Sequence, residues 1–221
     1  MVLGGTAGME PTPGPWSSIT AVDGGGNLLQ RLCMPATMVV GDGDLITPEA
    51  AAFHEAAGAL FQRHPCDKNE TDFELALAAL DSMPGDEIHI LGMVGGRSDM
   101  SLGNILVLGG HTGRGLFTFD LPDGCGGVMG PGELEIDMPA GTPAALLAVT
   151  SAASGISSSG VRWPLEHETL ELHKARGVSN IVTEPPWRLT LRTGALLWLL
   201  SGRTCSEIHF SWKSFAKTPN R

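Results

Sequence analysis

Most of the features that assign a function directly are missing from this chain. Charge is scarce, at 17% Asp, Glu, Lys and Arg, and basic charge is scarcest, with 14 Lys and Arg against 24 acidic residues. The resulting net charge of −10 excludes a protein that coats nucleic acid, because phosphate binding needs clustered cations. Long apolar runs are also missing. The best one, residues 195–200, is far too short for a bilayer. The opening MVLGGTAGMEPTPGP has neither the basic nor the apolar region of a signal peptide. The cysteines Cys33, Cys66, Cys125 and Cys205 form no CxxC pair. These absences predict a soluble, cytoplasmic protein with free thiols and with neither membrane nor nucleic acid as partner.

Several site motifs are absent as well. No Walker lysine motif and no GxGxxG is present, so neither a P-loop nor a Rossmann dinucleotide site is expected. His167-Glu168 with His173 fails the HExxH spacing and argues against a zincin. An EF-hand starting at Asp42 would put Phe53 where the bidentate Glu belongs.

What remains is a chain of 221 residues, 42% hydrophobic, with 30 glycines and 15 prolines. That length allows one average domain or two small ones, and the turn residues predict short strands rather than a helical bundle. The pattern changes near residue 115. Before it, strand-like runs at 1–3, 19–22, 37–40 and 87–91 alternate with helical patterns at 48–63, 72–80 and 99–108. Thr47 with Pro48 makes an N-cap followed by a proline at the first helical position. Thr71 and Glu74 have capping-box spacing. This alternation predicts a mostly parallel sheet in an α/β/α domain over residues 1–114. Beyond it, short strands at 116–121, 133–138, 145–150, 169–172, 181–183, 187–192 and 195–200 predict an antiparallel β-sandwich over 115–221. The fold class is therefore α/β followed by all-β.

Val39-Val40-Gly41-Asp42-Gly43-Asp44 is the sharpest local feature. In extended chain Asp42 and Asp44 point the same way, and two like charges held that close call for a cation or a proton. The segment reads either as a Mg²⁺ site at a strand end or as a Gly/Asp turn. Asp72 falls in the first turn of a helix, where the dipole stabilises an acid in any case. In Gly92-Met-Val-Gly-Gly-Arg97-Ser-Asp99, Arg97 offers a planar fork for phosphate, or the stretch is a flexible loop before an N-cap. Trp163, in a turn-flanked polar stretch, either faces a cationic or aromatic ligand or packs over a loop.

Taken together and in order, these segments resemble one family, the thiamine pyrophosphokinases. The matching stretches are Asp23-Gly-Gly-Gly-Asn27, residues 39–44, 67–72 with Ala76-Leu77, Gly95-Gly-Arg97-Ser-Asp99 with Asn104-Ile105, Gly160 to Leu165, and Ser179-Asn180. They span residues 20–200 and both halves. The resemblance implies transfer of a pyrophosphoryl group from ATP to the hydroxyl of thiamine, with release of AMP. It also implies a homodimer with the site between subunits. It assigns Asp42, Asp44, Asp72 and Asp99 to an acidic cluster that orients the thiamine hydroxyl, with Asp42, Asp44 and Asp72 holding Mg²⁺. Arg97, Lys68 and Ser157 fall to ATP, and Trp163, Ser179 and Asn180 to thiamine. Three positions depart from the family pattern: Gly43 stands where Phe is usual, Leu45 where Ser is usual, and Met100 where His is usual. A pyrophosphokinase acting on a pterin alcohol, and a non-catalytic thiamine binder, are the alternatives.

Overall fold

A computed structural model describes residues 1–4, 16–80, 86–112 and 115–215. The chain divides into two compact units, Met1–Asp81 with Ile90–Asn104, and Ser82–His89 with Ile105–Arg221.

The first unit is built on three parallel strands in the order of the chain: β1 (Thr20–Val22), β2 (Met38–Gly41) and β3 (Leu60–Arg63). Val2 extends the parallel pairing by single bridges to Ala21 and Leu91, so the strand expected at residues 1–3 contributes only this one position. Its helices are α1 (Gly25–Arg31), α2 (Pro48–Ala56), α3 (Asp72–Ala79) and the first part of α4 (Ser98–Gly109), whose residues from Ile105 on belong to the second unit. The core of this unit joins Val2, Ala21, Leu29, Ala36, Val39 and Leu91.

Both helix starts expected from the sequence form. Thr47 Oγ1 accepts from Ala50 N at 3.2 Å, with Pro48 at the first position. Thr71 and Glu74 close a full capping box. The single long helix expected over 48–63 does not form. It stops at Ala56, Gly58 adopts φ +85°, and residues 60–63 leave as β3. Strand wins there because Leu60–Arg63 pairs in register with all four residues of β2, and a parallel strand left open carries unpaired backbone groups. Helix α1 is not expected from the sequence either, since the three glycines at its start conceal its periodicity.

The second unit is mainly antiparallel. One sheet has the order β10-β9-β12-β7-β14 and the other β11-β8-β13-β6-β5-β4. Here β4 is Glu87–Ile90, β5 Leu116–Leu121, β6 Gly124–Met129, β7 Gly132–Asp137, β8 Pro143–Ala148, β9 Ala152–Ser159, β10 Glu168–Glu171, β11 Asn180–Ile181, β12 Trp187–Leu191, β13 Leu196–Ser201 and β14 His209–Ser214. One core is shared by residues of both sheets, with Leu134, Ile136, Ile156, Trp187 and Leu189 from one, and Leu116, Cys125, Met129, Leu146 and Trp198 from the other. This is the expected sandwich, with one difference: Glu87–Ile90, expected in the parallel sheet of the α/β half, pairs beside β5 in the six-stranded sheet instead. Strands β6, β9 and β14 are additions. Their sequences, GCGGVM, AASGISSS and HFSWKS, are rich in Gly and Ser or flanked by polar residues, so they carry little β signal. In β6 the small residues make room: a Cβ on Gly127 would strike Phe117 O and the buried Trp198 ring. None of the four cysteines is in a disulfide, and residues 216–221 of the basic tail lie outside the described residues.

Gly127→Ala should therefore destabilise the protein by about 1–3 kcal/mol, as overpacked cores do. Gly103→Ala, inside α4 with open space around it, should instead stabilise by up to about 1 kcal/mol. Urea denaturation of the two variants checks the contrast.

Candidate active site

Strands β1 and β2 are parallel neighbours and end level with each other, Val22 opposite Val40. The residues that follow their ends therefore meet at one edge of the sheet, where open α/β folds bind ligands. Those residues include Asp23 and Asp42. Asp23 N–H donates to Val40 O at 2.8 Å, and Asp23 adopts φ +41°, which turns its side chain against the end of β2. The approach is close enough that a Cβ on Gly41 would lie 2.8 Å from Asp23 Cβ. Asp72, at the first position of α3, supplies a third carboxylate. Oxygens of Asp23, Asp42 and Asp72 all lie within 4.8 Å of one another.

The electrostatics of this cradle are one-sided. Asp23 is 3% exposed, and neither of its carboxylate oxygens completes a hydrogen bond. Burial, followed by the charges of Asp44 and Asp72, pushes its carboxyl up to about 6, and the nearby Leu45 backbone N–H offsets this only in part. Lys68 Nζ lies 3.1 Å from Asp42 Oδ2 and 2.9 Å from Asp72 Oδ1. Asp42 is held below the usual carboxylate range, first by the Asp44 backbone N–H and then by Lys68. The Lys68 ammonium is held above its usual range, chiefly by its bond to Asp72. Carboxylates at this spacing repel one another, and one ammonium leaves the trio short of positive charge. Hard carboxylate oxygens, those of Asp23 buried and unpartnered, fit Mg²⁺, which takes one or a few carboxylates and keeps water on its other positions.

Two further clamps fix this edge. Asn27 Nδ2 donates to Leu45 O and its Oδ1 accepts from Thr47 N, both at 2.8 Å, which pins the loop after Asp44. Buried His54 accepts from Ala36 N at Nδ1 and contacts Gly26 O at 2.9 Å through Nε2. Its proton is therefore on Nε2, and the ring ties α2 to the start of α1.

The expected placement of Asp44 needs correcting. Gly43 adopts φ +82°, so the chain turns between the two acids instead of running extended. Asp44 N–H donates to Asp42 Oδ1 at 3.2 Å, while the Asp44 side chain is exposed and stands outside the three-acid cluster. Asp23 takes the third place. In the sequence Asp23 belongs to a family motif but carries no expected role, although a signal is there: like Asp42, it lies just past a β-branched strand end. Gly43, where the family usually has Phe, lies on the wall of a shallow hollow beside Asp23 that is also lined by Ile46, Phe61 and Arg63.

Arg97 and Asp99 are both exposed and bind each other, at 2.6 Å and 3.1 Å. That contact holds the Asp99 carboxyl down and the Arg97 guanidinium up. In the second unit Trp163 is 57% exposed, with the Arg162 guanidinium 5.5 Å from its ring. Asn180 grips the Trp163 backbone, accepting from its N–H at 3.2 Å and donating to its C=O at 2.8 Å. The structure thus brings Trp163 and Asn180 together, with Ser179 at φ +62° beside them. Ser157 Oγ accepts from His167 N at 3.3 Å.

A parallel sheet with three carboxylates at its strand ends, joined in one chain to a β-sandwich, defines a class of two-unit α/β proteins whose ligands bind at the strand ends. Comparison with known proteins narrows the class. Residues 16–114 match the thiamin pyrophosphokinase catalytic domain, and residues 134–196 match the thiamin pyrophosphokinase vitamin B1 binding domain. Thiamine pyrophosphokinase 1 of Oryza sativa subsp. japonica is 28% identical over 184 residues, covering 78% of this chain and 69% of that protein. The crystal structure of thiamine pyrophosphokinase from Bacillus subtilis superposes with a TM-score of 0.72 at 25% identity, over 90% of this chain and 96% of that one. That of a family protein from Enterococcus faecalis shares the fold, with a TM-score of 0.73 at 22% identity over the same shares. The chain belongs to the thiamine pyrophosphokinase family.

The raised Asp23 carboxyl sets a pH dependence. A carboxyl near 6 in the folded state and near 3.8 in the unfolded state leaves stability intact below about 3.8, and removes it as pH rises through about 6. In EDTA, Asp23→Asn should therefore be more stable than wild type at pH 8, by up to about 3 kcal/mol, and the gap should close near pH 4. The same variant should lose most of the stabilisation that added Mg²⁺ gives wild type. Thermal denaturation across pH, with and without Mg²⁺, measures both.

Proposed function

We propose that this protein transfers the terminal pyrophosphoryl group of ATP to the hydroxyl of thiamine, giving thiamine diphosphate and AMP. One observation carries this reading: both halves of the chain match, in order, the two domains of one family. The cradle agrees with it, since phosphoryl transfer relies on positioning and charge neutralisation more than on covalent help.

In this reading Asp23, Asp42 and Asp72 hold Mg²⁺, with Asp44 at the rim. Bound there, the ion supplies positive charge to the phosphate oxygens of ATP. Arg97 turns its fork from Asp99 to phosphate, which it can meet with two parallel hydrogen bonds. Asp99, released, joins Asp44 among the carboxylates free to orient the thiamine hydroxyl. Lys68 and Ser157 contact the nucleotide. Thiamine is an aromatic cation, and the exposed face of Trp163 offers it stacking and cation–π attraction, with Asn180 and Ser179 fixing the loop that presents the ring. The active species is a homodimer of two cytoplasmic chains with the site at their interface. No helix among the described residues is long and apolar enough to cross a membrane.

With thiamine and MgATP, one AMP should appear for each thiamine consumed, and a hydroxymethyl-pterin should release none. ADP in place of AMP would contradict attack at the β-phosphorus. Trp163→Ala should raise the thiamine KM by about 5- to 30-fold, the equivalent of about 1–2 kcal/mol, with the ATP KM little changed, because a stacked ring binds ground and transition states alike. Mixed Trp163→Ala and Asp44→Asn subunits should recover activity, because one of the two sites in a heterodimer is whole.

A further inference from the structure

Lys68 stands four residues before Asp72 and directs its ammonium into the cradle, within 3.1 Å of Asp42 and 2.9 Å of Asp72. Its side chain is 12% exposed. Arg63 pairs instead with Glu55, and Arg97 with Asp99. Among the described residues no other ion pair reaches these carboxylates. Lys68 does not reach Asp23, whose two buried oxygens stay without a partner. A single ammonium thus serves two of three acids that lie within 4.8 Å of one another. A divalent ion among the three would serve all of them with twice the charge, and the two cations cannot share so small a volume. Lysine is a point charge on a flexible stem of four carbons, so the ammonium can swing out while its backbone stays beside α3. It would then lie next to any anion bound to the metal.

We propose that Lys68 is the built-in counter-ion of the cradle: its ammonium occupies the cation position when no metal is bound, yields that position to the incoming divalent ion, and then faces the polyphosphate of the nucleotide. The proposal rests on the reading that the cradle takes a divalent cation. It makes Lys68 a competitor of the metal as well as a ligand of the phosphate, so metal and nucleotide favour each other's binding through one side chain.

The test uses the full-length protein and Mn²⁺ as the probe, titrated calorimetrically against wild type and Lys68→Met. The variant should bind Mn²⁺ about tenfold more tightly. Equal or weaker binding, with wild type still binding, overturns the proposal and leaves the cation site standing. Failure of both proteins to bind Mn²⁺ overturns the cation reading itself, and this proposal with it. Wild type alone gives an independent check if the variant does not fold. Amidination of Lys68, followed by peptide mass spectrometry, should be slow in EDTA, several-fold faster in Mg²⁺, and slow again in Mg²⁺ with a non-hydrolysable ATP analogue. A rate that Mg²⁺ leaves unchanged, or that the analogue fails to slow, overturns the exchange.

Discussion

Two parallel strands that end side by side force the residues after them into one small volume, and in this chain Asp23 and Asp42 both occupy it. The rest of the site answers the resulting repulsion. Asp23 is buried with no hydrogen-bond partner for its carboxylate, which is costly for a charged group. The fold bears that cost through contacts made elsewhere at the same edge. The backbone N–H of Asp44 and the Lys68 ammonium stabilise Asp42. The capping box of α3 fixes the first turn in which Asp72 stands. Asn27 and His54 hold the surrounding loops by hydrogen bonds to backbone groups. In the proposed reaction such a site is preorganised for charge that arrives from outside.

The β-sandwich contributes a different kind of order. Its interior is filled by large side chains, Trp187 and Trp198 among them, and β6 carries Gly127 where the Trp198 ring needs room. A rigid frame of this sort allows a loop to hold an indole 57% exposed without collapse. Asn180 supplies the local rigidity by bonding both backbone groups of Trp163. Exposure of a large aromatic ring is a common cost at binding surfaces, where its contact area is recovered on ligand binding.

The parts of this architecture that were legible in the sequence were those with local causes. Caps at Thr47 and Thr71 depend on residues three apart, and both formed. The switch from alternating helices and strands to strands alone is a matter of periodicity, and it indicates the order of an α/β part before an all-β part, but not that Glu87–Ile90 joins the second unit's sheet. What depended on partners distant in sequence was hidden. Residues 60–63 look like the end of a helix until β2 offers them a ladder. The glycines of β6 look like a turn until the Trp198 ring is placed beside them. In the site, the local motifs around Asp42 and Asp72 leave turn and helix-start readings open and the family resemblance singles these residues out, whereas Asp23 comes beside them only when β1 is laid beside β2. Asp44 is the converse case: an extended chain across Gly43 would point it the same way as Asp42, but the φ of +82° at Gly43 turns the chain.

Everything proposed for catalysis depends on Asp23, Asp42 and Asp72 forming the cation site of a pyrophosphokinase. Crystals grown with Mn²⁺ and measured at its absorption edge address that point without intermediaries, because anomalous scattering locates the ion without assuming its ligands. A strong peak is expected, bounded by oxygens of these three aspartates at about 2.1–2.2 Å, close to the Mg²⁺–oxygen distance, with the Lys68 ammonium moved away. A peak held by Asp44 and Asp99 with Asp23 left outside it, or no peak at the strand ends, would contradict the assignment.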